Sequence, residues 1–158
     1  MTHKLRDFCT SVERLAWAKA SGCPWVKRTC ELVAEGGRLE VLRWAREHDC
    51  PWCTRTCLFS AYRGHLEVLK WARAHGCQWD SWTCFHAADE GHLEVLQWAR
   101  EHHCPWDDST CYIAARGGHL MVLKWAREHG CPWVKWECED AAVIGNHPET
   151  RAWVRAQQ

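Results

Sequence analysis

The sequence lacks any surplus of charge: 20 lysines and arginines stand against 20 aspartates and glutamates. Nucleic acid and anionic membrane are recognised through excess positive charge, so neither is an expected partner. Also missing are a signal-peptide core and an apolar run of about 18 residues, the least that spans a bilayer as a helix. An intracellular, cytoplasmic location is expected, with the nucleus also open. Paired carboxylates, a nucleophile elbow and a phosphate-cradling loop are absent from the sequence, so the chain is expected to be no enzyme, with no catalytic residue and no cofactor. No linker or low-complexity run marks a second domain, and residues 1–158 are expected to form one monomeric repeat domain.

What is abundant is cysteine and tryptophan, 12 and 13 residues, and both recur with a period of 27. Units open at Cys23, Cys50, Cys77, Cys104 and Cys131, each reading Cys-Pro-Trp except Cys77-Gln-Trp79. A second cysteine (Cys30, Cys57, Cys84, Cys111, Cys138), then a glycine (Gly37, Gly64, Gly91, Gly118, Gly145), then a tryptophan (Trp44, Trp71, Trp98, Trp125) follow at fixed offsets. A strict period of this size predicts an all-α solenoid, in which each repeat buries its apolar face only against its neighbours. Residues 1–22 read as an N-terminal cap, 23–49, 50–76, 77–103 and 104–130 as internal repeats, and 131–158 as the C-terminal cap repeat. The N-terminal cap pairs a first helix over 5–9 with a second over 12–19 carrying Trp17. In the C-terminal cap the second helix begins at His147-Pro148 after a one-residue insertion, carries Trp153, and has polar Glu149, Thr150 and Arg151 suited to an outer face.

Each unit divides into two helices. Thr83, with Thr29, Thr56 and Thr110 in the same place, is expected to cap a first helix that ends at the left-handed Gly91. The second helix runs from Leu93 to His102, with Leu93, Val95, Leu96, Trp98 and Ala99 on one face. Pro105 prevents its continuation. The tryptophans are expected to fill a thin core as a ladder, with the cysteines as small apolar residues between them.

These residues resemble ankyrin repeats of a shortened kind over nearly the whole chain. Thr83-Cys-Phe-His-Ala-Ala88 is similar to the ankyrin Thr-Pro-Leu-His-x-Ala segment, and Gly91-His-Leu-Glu-Val-Leu96 to its Gly-His-x-x-Val-Val/Leu segment. The unit is 27 residues rather than 33, the loss falling where ankyrins carry a β-hairpin. Such short Cys/Trp-rich arrays resemble those abundant in protists and their large DNA viruses. The resemblance implies a recognition scaffold that binds another protein on its concave side.

The spacing His-x-Cys-x6-Cys (His48, Cys50, Cys57 and its copies) offers three zinc ligands per unit, where a structural site wants four. No metal ligand is assigned. A disulfide within each Cys-x6-Cys is sterically open, but an intracellular location favours free thiols. Histidines His65, His92 and His119 read as hydrogen-bonding links between neighbouring turns. Arg46, Arg73, Arg100 and Arg127 form a stripe that Glu47, Glu101 and Glu128 neutralise, and they read as a solvated face.

Variation between units concentrates on the first helix and the three residues before it. Those places hold Arg55, Leu58 and Tyr62; Trp82, Phe85 and Asp89; Ser109, Tyr112 and Arg116; and Trp136. Aromatics mixed with charges of both signs suit a protein-binding strip, and these ten residues are the candidate partner contacts. Two other functions stand beside this: a thiol-rich metal-binding or redox protein using the Cys/His ladder, and a substrate-recruiting adaptor in a larger assembly.

Overall fold

The computed structural model describes residues 7–157. Among them are eleven helices and no strand: α1 (Val12–Ala20), α2 (Lys27–Glu35), α3 (Leu39–Glu47), α4 (Thr54–Tyr62), α5 (Leu66–Ala74), α6 (Ser81–Asp89), α7 (Leu93–Glu101), α8 (Asp108–Arg116), α9 (Leu120–Glu128), α10 (Lys135–Ile144) and α11 (Pro148–Ala156). The chain divides into two compact units, Met1–Trp79 and Asp80–Gln158. In unit 1, first helix α2 packs on α4, and second helices α1, α3 and α5 pack in order. In unit 2, α6, α8 and α10 pack in order, each against its own second helix. Helices of nine or ten residues are marginal alone in water, so stacking is what holds them. Within each unit this is the all-α repeat arrangement that the period predicts. The expected helix over 5–9 begins outside the described residues; Asp7 and Phe8 are helical, and Cys9 is buried.

The first helices start earlier than the threonines suggest. Asp80 caps α6 by accepting from the Trp82 backbone N–H at 3.2 Å, and Asp107 caps α8 from Ser109 N–H at 3.1 Å. Thr29, Thr56, Thr83 and Thr110 lie inside the first turn and are buried. A hydroxyl there faces the core instead of the free N–H groups that a cap must satisfy. The residues before each threonine are accordingly the cap and first turn of the helix, not loop.

The core is narrower than a tryptophan ladder would make it. In unit 2 it is built from Cys84, Ala87, Ala88, Val95, Leu96, Ala99 and Cys104, and again from Cys111, Ala114, Ala115, Val122, Leu123, Ala126 and Cys131. Alanine and cysteine on the first helix let neighbouring helices approach closely, and one leucine per repeat fills the remaining volume. No described tryptophan is fully buried; Trp44, Trp71, Trp98 and Trp125 are half-covered. The indoles pack against this core without being sealed in it, as Trp25, Trp44, Trp52 and Trp71 do in unit 1. In the last repeat α10 has one residue more than its counterparts, and Asn146 rather than Gly145 adopts the left-handed conformation (φ 61°). Pro148 then opens α11 at a position where its missing N–H costs nothing. Thr150, expected on an outer face, is buried in the place that valine holds elsewhere.

Candidate functional site

Three columns of side chains run across the outward faces of the first helices, one residue per helix. In unit 2 the column nearest the helix start holds Trp82, Ser109 and Trp136; the next holds Phe85, Tyr112 and Glu139; the last holds Asp89, Arg116 and Val143. Their opposite faces are fixed by Ala87, Ala88, Ala114, Ala115, Ala141 and Ala142, all without exposure. The period of the helix therefore separates an unchanging buried face from a changing outer one. Trp82 and Trp136 are 54% and 65% exposed, far beyond what a packed tryptophan shows, while Phe85 and Tyr112 are half-buried. Trp82 meets Phe85 edge-on at 5.1 Å between ring centroids, and Phe85 meets His86 at 5.1 Å. His86 lies 3.9 Å from the Asp89 carboxylate. Burial lowers the His86 pKa below its ordinary value, against the pull of Asp89, Glu90 and Asp80.

In unit 1 the equivalent columns are Arg28 and Arg55, Glu31 and Leu58, Glu35 and Tyr62. Glu31 is buried and neutralised by Arg28 at 3.0 Å and Arg55 at 3.6 Å, and it accepts from the Cys53 thiol at 3.4 Å. Both guanidiniums also lie over the Phe59 ring, at 5.3 and 5.4 Å. Arg55 is thus held by its own unit as well as facing outward. Arg63 pairs with Glu35 at 3.1 Å and lies over Tyr62. The ten residues chosen from the sequence all belong to the first helices, three in unit 1 and seven in unit 2. Val143 and Ile144, 48% and 67% exposed, extend the apolar part of the unit 2 strip.

The arginines Arg46, Arg73, Arg100 and Arg127 are not a solvated face. Each guanidinium lies over the next Cys-x-Trp tryptophan, Arg46 over Trp52 at 4.2 Å and Arg73 over Trp79 at 4.1 Å. Arg100 lies over Trp106 at 4.2 Å and Arg127 over Trp133 at 4.5 Å. Each also donates to the carbonyl of the intervening cysteine, Cys50, Cys77, Cys104 or Cys131. The histidine before each cysteine stacks on its own ladder tryptophan, as His129 does on Trp125 at 4.2 Å. Its Nδ1 sits 2.8 Å from the Trp125 carbonyl, which can only accept, so Nδ1 carries the proton. The signal was present as a fixed Trp-Ala-Arg-x-His run, legible only once its partners are known.

The cysteines pair across repeats rather than along the Cys-x6-Cys spacing. All twelve are free thiols. Cys30 donates to the Cys50 carbonyl at 3.9 Å and Cys84 to the Cys104 carbonyl at 4.0 Å, and the neighbouring thiol together with burial raises the pKa of Cys30, Cys84 and Cys111. Cys50 and Cys77 are lowered because a partner thiol, Cys30 or Cys57, donates to them. Among the described residues no group of three or more His, Cys, Asp or Glu side chains is placed to hold a metal. No helix among those residues is long and apolar enough to cross a membrane. No protein-family model and no curated protein matches the chain.

Proposed function

We propose that this chain is a shortened, Cys/Trp-rich ankyrin-like repeat protein that binds another protein on its first-helix face, without catalysis or cofactor. One observation carries the reading. The first helices keep a fixed buried face while their outer columns change from repeat to repeat and expose large aromatics, Trp82 and Trp136 above all. Exposed aromatics rimmed by charges are what an interface core needs and what an inert surface avoids. A cytoplasmic location belongs to this proposal.

The test is capture of partners from lysate by the wild-type chain and by two double variants. Phe85→Ala with Tyr112→Ala removes first-helix aromatics and should change stability by only about 1–2 kcal/mol, since both are half-buried. It should weaken capture by at least about tenfold. Gln97→Ala with Lys124→Ala alters the second-helix face and should leave capture alone. The opposite pattern would assign binding to the second helices.

A further inference from the structure

The absence of net charge conceals a division between the two units. Met1–Trp79 contains thirteen lysines and arginines against eight acids, and Asp80–Gln158 seven against twelve. The difference is sharpest on the first-helix segments of unit 2. Across α6, α8, α10 and their caps there are eight carboxylates (Asp80, Asp89, Glu90, Asp107, Asp108, Glu137, Glu139, Asp140) against Arg116 and Lys135. Some have local work: Asp80 and Asp107 cap helices, and Glu139 pairs with Arg151 and Arg155. The remainder lie on the same helices and caps as Trp82, Phe85, Tyr112 and Trp136, with Asp89 also facing His86 at 3.9 Å.

In unit 1 the first helices begin with cations. Lys27 and Arg28 open α2 and Arg55 lies in the first turn of α4; neither helix has a side-chain cap or an acid in that turn. Positive charge at a helix N-terminus opposes the helix dipole and lowers stability locally. Val26, 39% exposed, stands beside them. A locally unfavourable arrangement is expected where a surface serves an outside contact.

We infer that the basic first-helix face of unit 1 docks on the acidic, tryptophan-bearing first-helix face of unit 2 in a second copy of the chain. This rests on reading the first-helix face as a docking surface, and it replaces the monomer that the sequence suggests. Both halves of the complementarity lie in one chain: Lys27 with Arg28 and Arg55, two guanidiniums that share the single Glu31 carboxylate, on one side, carboxylates and the faces of Trp82 and Trp136 on the other. Cations are attracted both to carboxylates and to indole rings. Contact between unlike faces of identical chains is a route to self-association.

The test is sedimentation velocity of the full-length chain over a concentration series, at about 0.05 M and about 0.5 M salt. The expected result is self-association that weakens at least about tenfold at the higher salt. Two charge reversals then identify the faces. Lys27→Glu puts an acid at a helix N-terminus, and Asp89→Lys with Glu90→Lys puts cations at a C-terminus, both compatible with the helix dipole. Each variant alone should associate at least tenfold more weakly than wild type, because like faces meet. An equimolar mixture should return to within about threefold of wild type, a recovery that misfolding cannot produce. A wild-type chain that stays monomeric at low salt overturns the inference, as does a mixture that fails to recover. Should one variant not fold, the salt dependence of the wild type still decides. Loss of self-association with intact capture by Phe85 and Tyr112 would sink this inference and leave the proposed function standing.

Discussion

The imidazole of His119 occupies the space that a side chain on Gly91 would need. A Cβ built on Gly91 would lie 2.5 Å from His119 Nδ1, and the same ring places Nε2 2.8 Å from the Asp89 carbonyl. His65 does the same in unit 1, packing over Gly37 and reaching the Glu35 carbonyl at 3.1 Å. Histidine of one repeat therefore satisfies an end carbonyl of the previous first helix, across a glycine that must be bare. The glycine is needed twice, for its left-handed backbone and for its missing side chain.

Gly91→Ala should consequently cost more than the roughly 1–2 kcal/mol of a left-handed alanine alone. Adding His119→Ala removes the clash but not the backbone strain, so the double variant should recover only part of the loss. Urea midpoints of both proteins check this; full recovery would mean that φ +74° at Gly91 carries no strain. The second-helix ends offer the converse. Gly22, Gly76 and Gly130 are left-handed with open space around them, and His103 holds the same conformation at φ 63°. His103→Gly should stabilise by about 0.5–1 kcal/mol.

Thiol reactivity should divide two from ten. Cys23 and Cys53 are half-buried and the other ten cysteines are buried, so a disulfide reagent at neutral pH should label two thiols quickly in the native chain. The remaining ten should appear only as the fold opens, at the rate of opening. Burial and the Glu31 carboxylate raise the Cys53 pKa, so its labelling should keep accelerating above the usual thiol range. Rapid native labelling of more than two would contradict the buried pairs.

The helix count, helix positions and buried faces were legible because a 27-residue period repeats every cue several times. Glycine and histidine were read correctly as helix end and inter-repeat link, since both act locally through backbone groups. Tryptophan and arginine were misread for one reason. Composition says how large or charged a side chain is, while spacing between stacked helices decides whether it fits inside. Cysteine pairing was hidden similarly: Cys57 meets Cys77, twenty residues on, because stacking brings the end of one repeat against the start of the next. The threonine cap failed because the true caps change identity, from Val26 and Cys53 to Asp80 and Asp107. The candidate strip was found by its variability, and Trp136 on it is exposed as Trp82 is, whereas Ile144 lies outside the varying columns and gave no such signal.

Stability should carry a histidine signature. Burial lowers the folded pKa of His86 below the ordinary 6.5, so between those values the unfolded chain binds more protons. The native state therefore loses stability as pH falls below about 6.5, until it too is protonated, and above 6.5 this contribution is flat. The measure is the difference between variant and wild type. His86→Gln should show a shallower decline of urea midpoint between about pH 6.5 and 5 than wild type. Parallel curves would show that Asp80, Asp89 and Glu90 offset the burial completely.

The final prediction separates core from ladder in one repeat. Leu96 is fully buried, whereas Trp98, two residues on, is only partly buried, with His102 stacked on it at 4.2 Å. Tryptophan is the larger side chain, and a core reading of the sequence would make Trp98→Ala the worse loss, about 3–5 kcal/mol. Cost follows the atoms removed from water and the cavity left, not the size of the residue. Leu96→Ala empties a sealed site and should cost about 3–4 kcal/mol. Trp98→Ala opens a notch that water fills, so it should cost about 1.5–3 kcal/mol through lost burial and the lost histidine stack. Denaturant titration of the two variants gives the order directly. If Trp98→Ala proves the more damaging, the tryptophans do carry the core and the half-exposed ladder is the wrong picture.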